Sequence, residues 1–188
     1  MTTPGDLSDA VISHDRIEQL DSDDNLGTLI QQINQDEQRT DYDLSGDTSV
    51  LLISPDSYPT LLNNLGIQMI GHSINTSSNS AFAERAFLPL DLSADLGVRS
   101  IETGTNATEY DLWGISVTNP IQLVNLFELF ERTKIPVLAS ERDETFPVTI
   151  AGGMGIANPE PYAPFIDIFV MGEGQEAILE IIERHNTT

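Results

Sequence analysis

From Val50 onward the chain alternates between short apolar runs and stretches whose apolar residues recur every three or four positions. "VLLIS" (residues 50–54) is apolar on both alternate sets of positions, as in a strand covered on both faces. "TLLNNLGIQMIGHSI" follows, with Leu61, Leu62, Leu65, Met69 and Ile70 at helical spacing, and predicts one helix. "ERAFLP" and "VRSIET" predict two further strands around the turn "LDLSADLG", and "DLWGISV" is another apolar run that stops at Thr118-Asn119-Pro120. "PIQLVNLFELFERT" then predicts a helix over 120–132, with proline in its first turn and Leu123, Leu126, Phe127 and Phe130 on the packed face. "VTIAGG" and "IDIFVMG" read as the last strands and "EGQEAILEIIERH" as a closing helix. Such alternation predicts an α/β fold: a flavodoxin-like (Rossmann-like), doubly wound, mostly parallel sheet of about five strands with helices on both faces.

Residues 1–47 read differently from 48–188. "DAVISHDRIEQL" and "DNLGTLIQQINQ" space Val11, Ile12, Ile17 and Leu20, then Leu26, Leu29, Ile30 and Ile33, near a helical period, with Asp and Asn at the N-cap positions. "DEQRTDYDLSGDT" is a polar linker. The expectation is an acidic N-terminal arm, partly helical, that folds onto the domain, stays mobile or docks a partner, followed by one α/β domain.

Charge changes the picture. Thirty acidic residues face eight basic ones, a formal net charge of -22, and Lys134 is the only lysine. The excess extends through the whole chain, which points to the proteome of an extreme halophile or of a virus infecting one. It also excludes a nucleic-acid phosphate backbone as a direct partner, because no basic stripe exists to neutralise it. No apolar run is long enough to cross a bilayer and "MTTPGDLSDA" lacks signal-peptide character, so the expectation is a cytoplasmic protein, or one carried in a virion, without a membrane partner.

Cysteine is absent, which removes thiolate metal sites, cysteine nucleophiles and cysteine-ligated iron–sulfur clusters. His14, His72 and His185 are too scattered to suggest a metal site, and no Gly-x-Ser-x-Gly elbow or nucleophile–base pair is visible. No catalytic residue is assigned.

In a doubly wound sheet the ligand lies outside the carboxyl ends of the strands. The turns to search are therefore "SPDSYPT", "SVTNP", "GGMGIANPEP" and "GEGQE". Ser54, Ser116, Thr118, Gly152, Gly153 and Gly155 are small residues at those ends that let a backbone approach a ligand, although glycines after strands also serve simply to close turns. Glu173 fits a helix N-terminus, and Asn158 and Glu160 precede prolines in a local turn.

Together "PDSY", "NLG", "ERAFLPLD", "SIET", "DLWGISVTN", "TKIPVLASERD", "VTIAGGMGIANPEP" and "FIDIFVMGEGQE" resemble, in that order, the N-terminal cobalamin-binding-like domain of cobalamin-dependent radical S-adenosylmethionine proteins. The resemblance covers residues from about 50 to 183 and implies a corrinoid groove at Ser116 and Gly152-Gly153. Relatives often carry a histidine just before "LG"; here Asn63-Asn64-Leu65-Gly66 puts Asn64 where that imidazole would stand. The Cys-x-x-x-Cys-x-x-Cys of the family's cluster-bearing barrel does not occur in this sequence.

Two functions are therefore expected. One is a stand-alone, non-catalytic homologue that binds cobalamin weakly, without an iron–sulfur cluster, or partners a separate radical SAM enzyme. The other is a cofactor-free interaction or structural module, viral in one version, that retains the fold.

Overall fold

A computed structural model describes residues 25–36, 42–77, 80–89 and 97–187. Among these residues five strands form one sheet: β1 (Thr48–Ser54), β2 (Ala81–Phe87), β3 (Leu112–Ser116), β4 (Val148–Gly152) and β5 (Ile168–Val170). Their order is β2-β1-β3-β4-β5 and every pairing is parallel. This is the flavodoxin-like, doubly wound order, whose direction reverses between β1 and β3.

The helices are α1 (Asn25–Asp36), α2 (Tyr58–Leu62), α3 (Leu65–Asn75), α4 (Leu123–Thr133) and α5 (Gly174–His185). Val50 and Leu52 of β1 point into a core with Ile67 and Ile74 of α3 and Ile178 and Ile182 of α5. Leu51 and Ile53 point the other way, into a second core with Trp113 and with Leu126, Leu129 and Phe130 of α4. Both faces of the sheet are covered, which is why its strands carry unbroken apolar runs. Leu26, Ile30 and Ile33 of α1 are buried in the α3–α5 core. The predicted first helix of the arm, with His14, and the turn "LDLSADLG" up to residue 96 lie outside the described residues.

Three expectations are corrected. The single helix over 60–74 is two, because consecutive asparagines end one and start the next: Asn63 Nδ2 donates to the Pro59 carbonyl at 2.8 Å, and Asn64 Oδ1 accepts from the Ile67 N–H at 3.2 Å. The restart rotates the packed face, so Ile67, Gly71 and Ile74 are buried while Leu65 and Met69 are exposed.

"VRSIET" is not a strand of the sheet. Ile101 donates its N–H to the Arg85 carbonyl at 2.7 Å, but Glu102 Oε2 accepts the Arg85 N–H at 2.7 Å, so a side chain takes the place of the second backbone bond and no ladder develops. Gly104, at φ 77°, then turns the chain back, leaving an isolated bridge between Arg99 and Asn106. Finally, Pro120–Gln122 is a 3-10 turn before α4, and the helix packs through Leu126, Leu129 and Phe130. Phe127 faces outward, edge-on to Phe165 at 5.0 Å.

Candidate functional site

Because all five strands are parallel, the turns after β1, β3, β4 and β5 share one edge of the sheet. A cleft of about 190 Å³ opens there, between the sheet and the facing helices. Its floor is Leu52, Gly114 and Ile150, its walls are Ile67 and Ile70 of α3 and Ile178 of α5, and Ser116, Gly152, Gly153 and Gly172 stand at strand ends. Gly114 makes the floor concave: a Cβ there would lie 2.7 Å from Leu52 Cδ2. Gly174 lets α5 approach Ile70, whose Cδ1 would lie 3.1 Å from a Cβ.

The residues expected from the sequence take different places. Ser54 ends β1, is buried and has no hydrogen-bond partner for its hydroxyl among the described residues. Asn64 caps α3 with its oxygen, and its Nδ2 donates to Ser116 Oγ at 2.8 Å. Both polar atoms of this side chain are thus engaged, tying the start of α3 to the end of β3. Thr118 lies outside the cleft, in a separate hollow beside Asn63, Asn64 and Leu65.

Gly152 lines the cleft with room to spare, since a Cβ there would meet only the Val170 carbonyl, at 3.8 Å. Gly153 also lines it, but adopts φ 112° and ψ 174°, a region open only to glycine, and a Cβ would strike the Val117 carbonyl oxygen. Gly155 lies outside the lining; a Cβ on it would come within 2.8 Å of the Asn119 nitrogen, so its role is to seat one turn on another.

Sequence reasoning missed Gly66, Gly114, Ile67, Ile70 and Ile178 of the cleft, and it missed Gln122. The buried Gln122 Oε1 accepts from the Thr118 N–H (2.8 Å), the Thr118 hydroxyl (3.3 Å) and the Asn119 N–H (3.2 Å). Its Nε2 donates to Asp56 Oδ2 at 3.3 Å, so one amide holds together the turns after β1 and β3. A mid-strand glycine was the one available signal for the floor.

A second hollow, of about 290 Å³, lies at the opposite edge, lined by Asp47, Glu84, Glu109, Tyr110 and Asp111. Burial pushes the Tyr110 phenol far above its ordinary range, so it stays neutral. Among the described residues no three His, Asp or Glu side chains are grouped to hold a metal ion. His72 instead pairs through Nδ1 with the Tyr42 hydroxyl at 2.8 Å, and His185 is in the last turn of α5.

A profile of the family described as "Radical SAM proteins, N-terminal" matches residues 66–188, from the first turn of α3 through α5. The chain belongs to that family. No curated protein matches, and neither does any solved structure. The N-terminal radical SAM module therefore comprises β2 to β5 with α3 to α5, and α3, β3, β4, β5 and α5 from that stretch line the cleft. Among the described residues no helix is long and apolar enough to cross a membrane.

Proposed function

We propose that the chain is a cobalamin-binding-domain homologue, non-catalytic by itself, that holds a corrinoid weakly or serves a separate radical SAM enzyme as its partner. The cleft at the reversal of strand order carries this reading. At about 190 Å³ it is smaller than the roughly 300 Å³ at which pockets for whole small ligands begin. It suits a narrow, flat, apolar group such as the nucleotide base of a corrinoid tail, leaving the macrocycle outside against exposed Leu65 and Met171. A corrinoid bound there supplies cobalt-centred methyl or electron transfer. Ser116, Gly152 and Gly153 would hold the tail, and Asn64 offers cobalt no imidazole. Without cysteine the chain has no thiolates for an iron–sulfur cluster.

The engagement of Asn64 as cap and tether favours the second reading, a cofactor-free interaction module. Titration with hydroxocobalamin in molar KCl, followed by visible absorbance and calorimetry, separates the two. Wild type is expected to bind with modest affinity and Gly152→Leu to lose binding with its melting temperature intact. Asn64→His should cost roughly 1 kcal/mol of helix cap. Neither heat nor a spectral change up to millimolar corrinoid, with Asn64→His equally silent, would transfer the function to the interaction module.

We also read the charge of -22 as adaptation to a salt-rich cytoplasm. Repulsion among surface carboxylates weakens as the Debye length falls from about 10 Å at 0.1 M to about 3 Å at 1 M. Melting temperature is expected to rise on going from dilute to molar KCl. A flat response would remove the halophilic assignment.

A further inference from the structure

The outer side of α4 is apolar where a solvent-facing helix should be polar. Ile121 is 73% exposed, Val124 66% and Met154 84%. The exposed surface continues through Phe127, edge-on to Phe165, to Leu138, whose neighbour Ala139 donates its N–H to the Pro164 carbonyl at 2.9 Å. The Tyr162 hydroxyl donates to the Pro120 carbonyl at 3.2 Å, and the turn at 154–156 packs on the turn at 120–122, so these residues form one continuous face. The corrinoid reading does not account for it: Phe127 lies roughly 9 Å along the helix axis beyond Ile121, away from the strand ends.

The border of the face is anionic. Glu131 follows Val124 and Phe127 on the same stripe of α4, exposed Glu160 and Glu141 lie in the adjoining turns, and these three carboxylates outnumber the exposed Lys134 that ends the helix. The arginines close by are committed, Arg132 to Glu128 at 2.7 Å and Arg142 to Asp167 at 3.1 Å. A second copy is a poor occupant, because in a two-fold interface the patch meets itself and these carboxylates would face their own counterparts. A membrane carrying anionic lipid is repelled for the same reason.

From this complementarity we infer that the outer face of α4 is a docking surface for a protein that presents an apolar ridge bordered by lysine and arginine. Apolar contact supplies the affinity, and the opposite charges fix orientation and exclude acidic competitors. The surface is independent of the cleft, so it serves either reading of the function.

The test is a displayed library of 16-residue peptides selected on the full chain in 0.3 M KCl, followed by calorimetry with the enriched peptides. Enriched sequences are expected to combine Leu, Met or aromatic residues with a net positive charge and to bind less tightly as KCl rises. Val124→Glu and Ile121→Glu should each weaken them at least ten-fold, whereas Leu65→Glu, on the other side of the cleft, should not. Corrinoid titration of Val124→Glu should match wild type, so a failure of the cofactor reading would show separately. The inference is overturned by an empty selection, by acidic or uncharged winners, or by binding that survives both glutamates. It is equally overturned if sedimentation shows a dimer that Val124→Glu disperses, or if anionic vesicles float the wild type but not that variant.

Discussion

Replacing Arg142 with methionine is expected to lower the melting temperature by about 3–6 °C. Its guanidinium is buried and joins three segments that share no secondary structure. Nη2 donates to the Phe165 carbonyl at 2.8 Å, to Asp167 Oδ2 at 3.1 Å and to Thr149 Oγ1 at 3.2 Å, while Nη1 donates to the Pro136 carbonyl at 3.3 Å. The group also lies over the Phe130 ring, 5.2 Å from its centroid. Hydrogen bonds from a charged group contribute about 1.5–3 kcal/mol, and the Phe165 and Pro136 carbonyls lose theirs, while Asp167 is exposed to water and is not left as a buried charge. Asp167 keeps the Thr149 N–H and hydroxyl, at 2.8 and 2.7 Å, which places the loss near the lower end. At roughly 2–4 °C per kcal/mol for a chain of this size, calorimetry in molar KCl resolves it easily. Arg99→Met is the control: that exposed side chain donates to the Gly104 carbonyl, and its loss should stay within about 0.5 kcal/mol. Equal melting temperatures for the two variants would show that the buried guanidinium contributes nothing net.

The second large effect separates two adjacent glycines. Gly153→Ala forces a side chain into a backbone region that costs roughly 1–3 kcal/mol in itself. Its Cβ also meets the Val117 carbonyl, which already accepts the Gly155 N–H at 2.9 Å and has no free direction in which to swing. The turn after β4 should lift away from the turn after β3, and the melting temperature should fall well below that of wild type. Gly152→Ala, whose Cβ has ordinary clearance, should change stability by no more than about 0.5 kcal/mol. Urea unfolding of both variants measures the difference. Indistinguishable midpoints would mean that the turn tolerates a side chain at Gly153 and that its glycine is not required by conformation.

The contrast between these glycines marks how far the sequence could be read. Apolar runs such as "VLLIS" announce a strand covered on both faces, so the parallel, doubly wound class was accessible, and with it the edge on which the turns lie. The step from edge to cleft was not. A cleft needs two helices to converge on a dent in the sheet, and its lining comes from Gly114 inside a strand and from Ile67, Ile70 and Ile178 on helices far apart in sequence. Periodicity also failed at Asn63-Asn64, because two side-chain caps can restart a helix without any break in the apolar spacing. Gln122 looked like an ordinary polar residue of a helical first turn; its part in holding two turns together appears only when Asp56 and Thr118 are brought beside it.

The central position of β1 carries a consequence for anyone dissecting the gene. The match to the radical SAM N-terminal family profile starts at Gly66, after β1 has ended. Yet β1 is the strand to which both β2 and β3 are hydrogen-bonded, and among the described residues β2 pairs with no other strand. A fragment cut at the boundary of the match would take from β2 its ladder partner and open the middle of both cores to water, with Leu26, Ile30 and Ile33 of α1 gone as well. The heritable unit that similarity detects is thus shorter than the cooperative unit that folds, and the missing piece is the keystone.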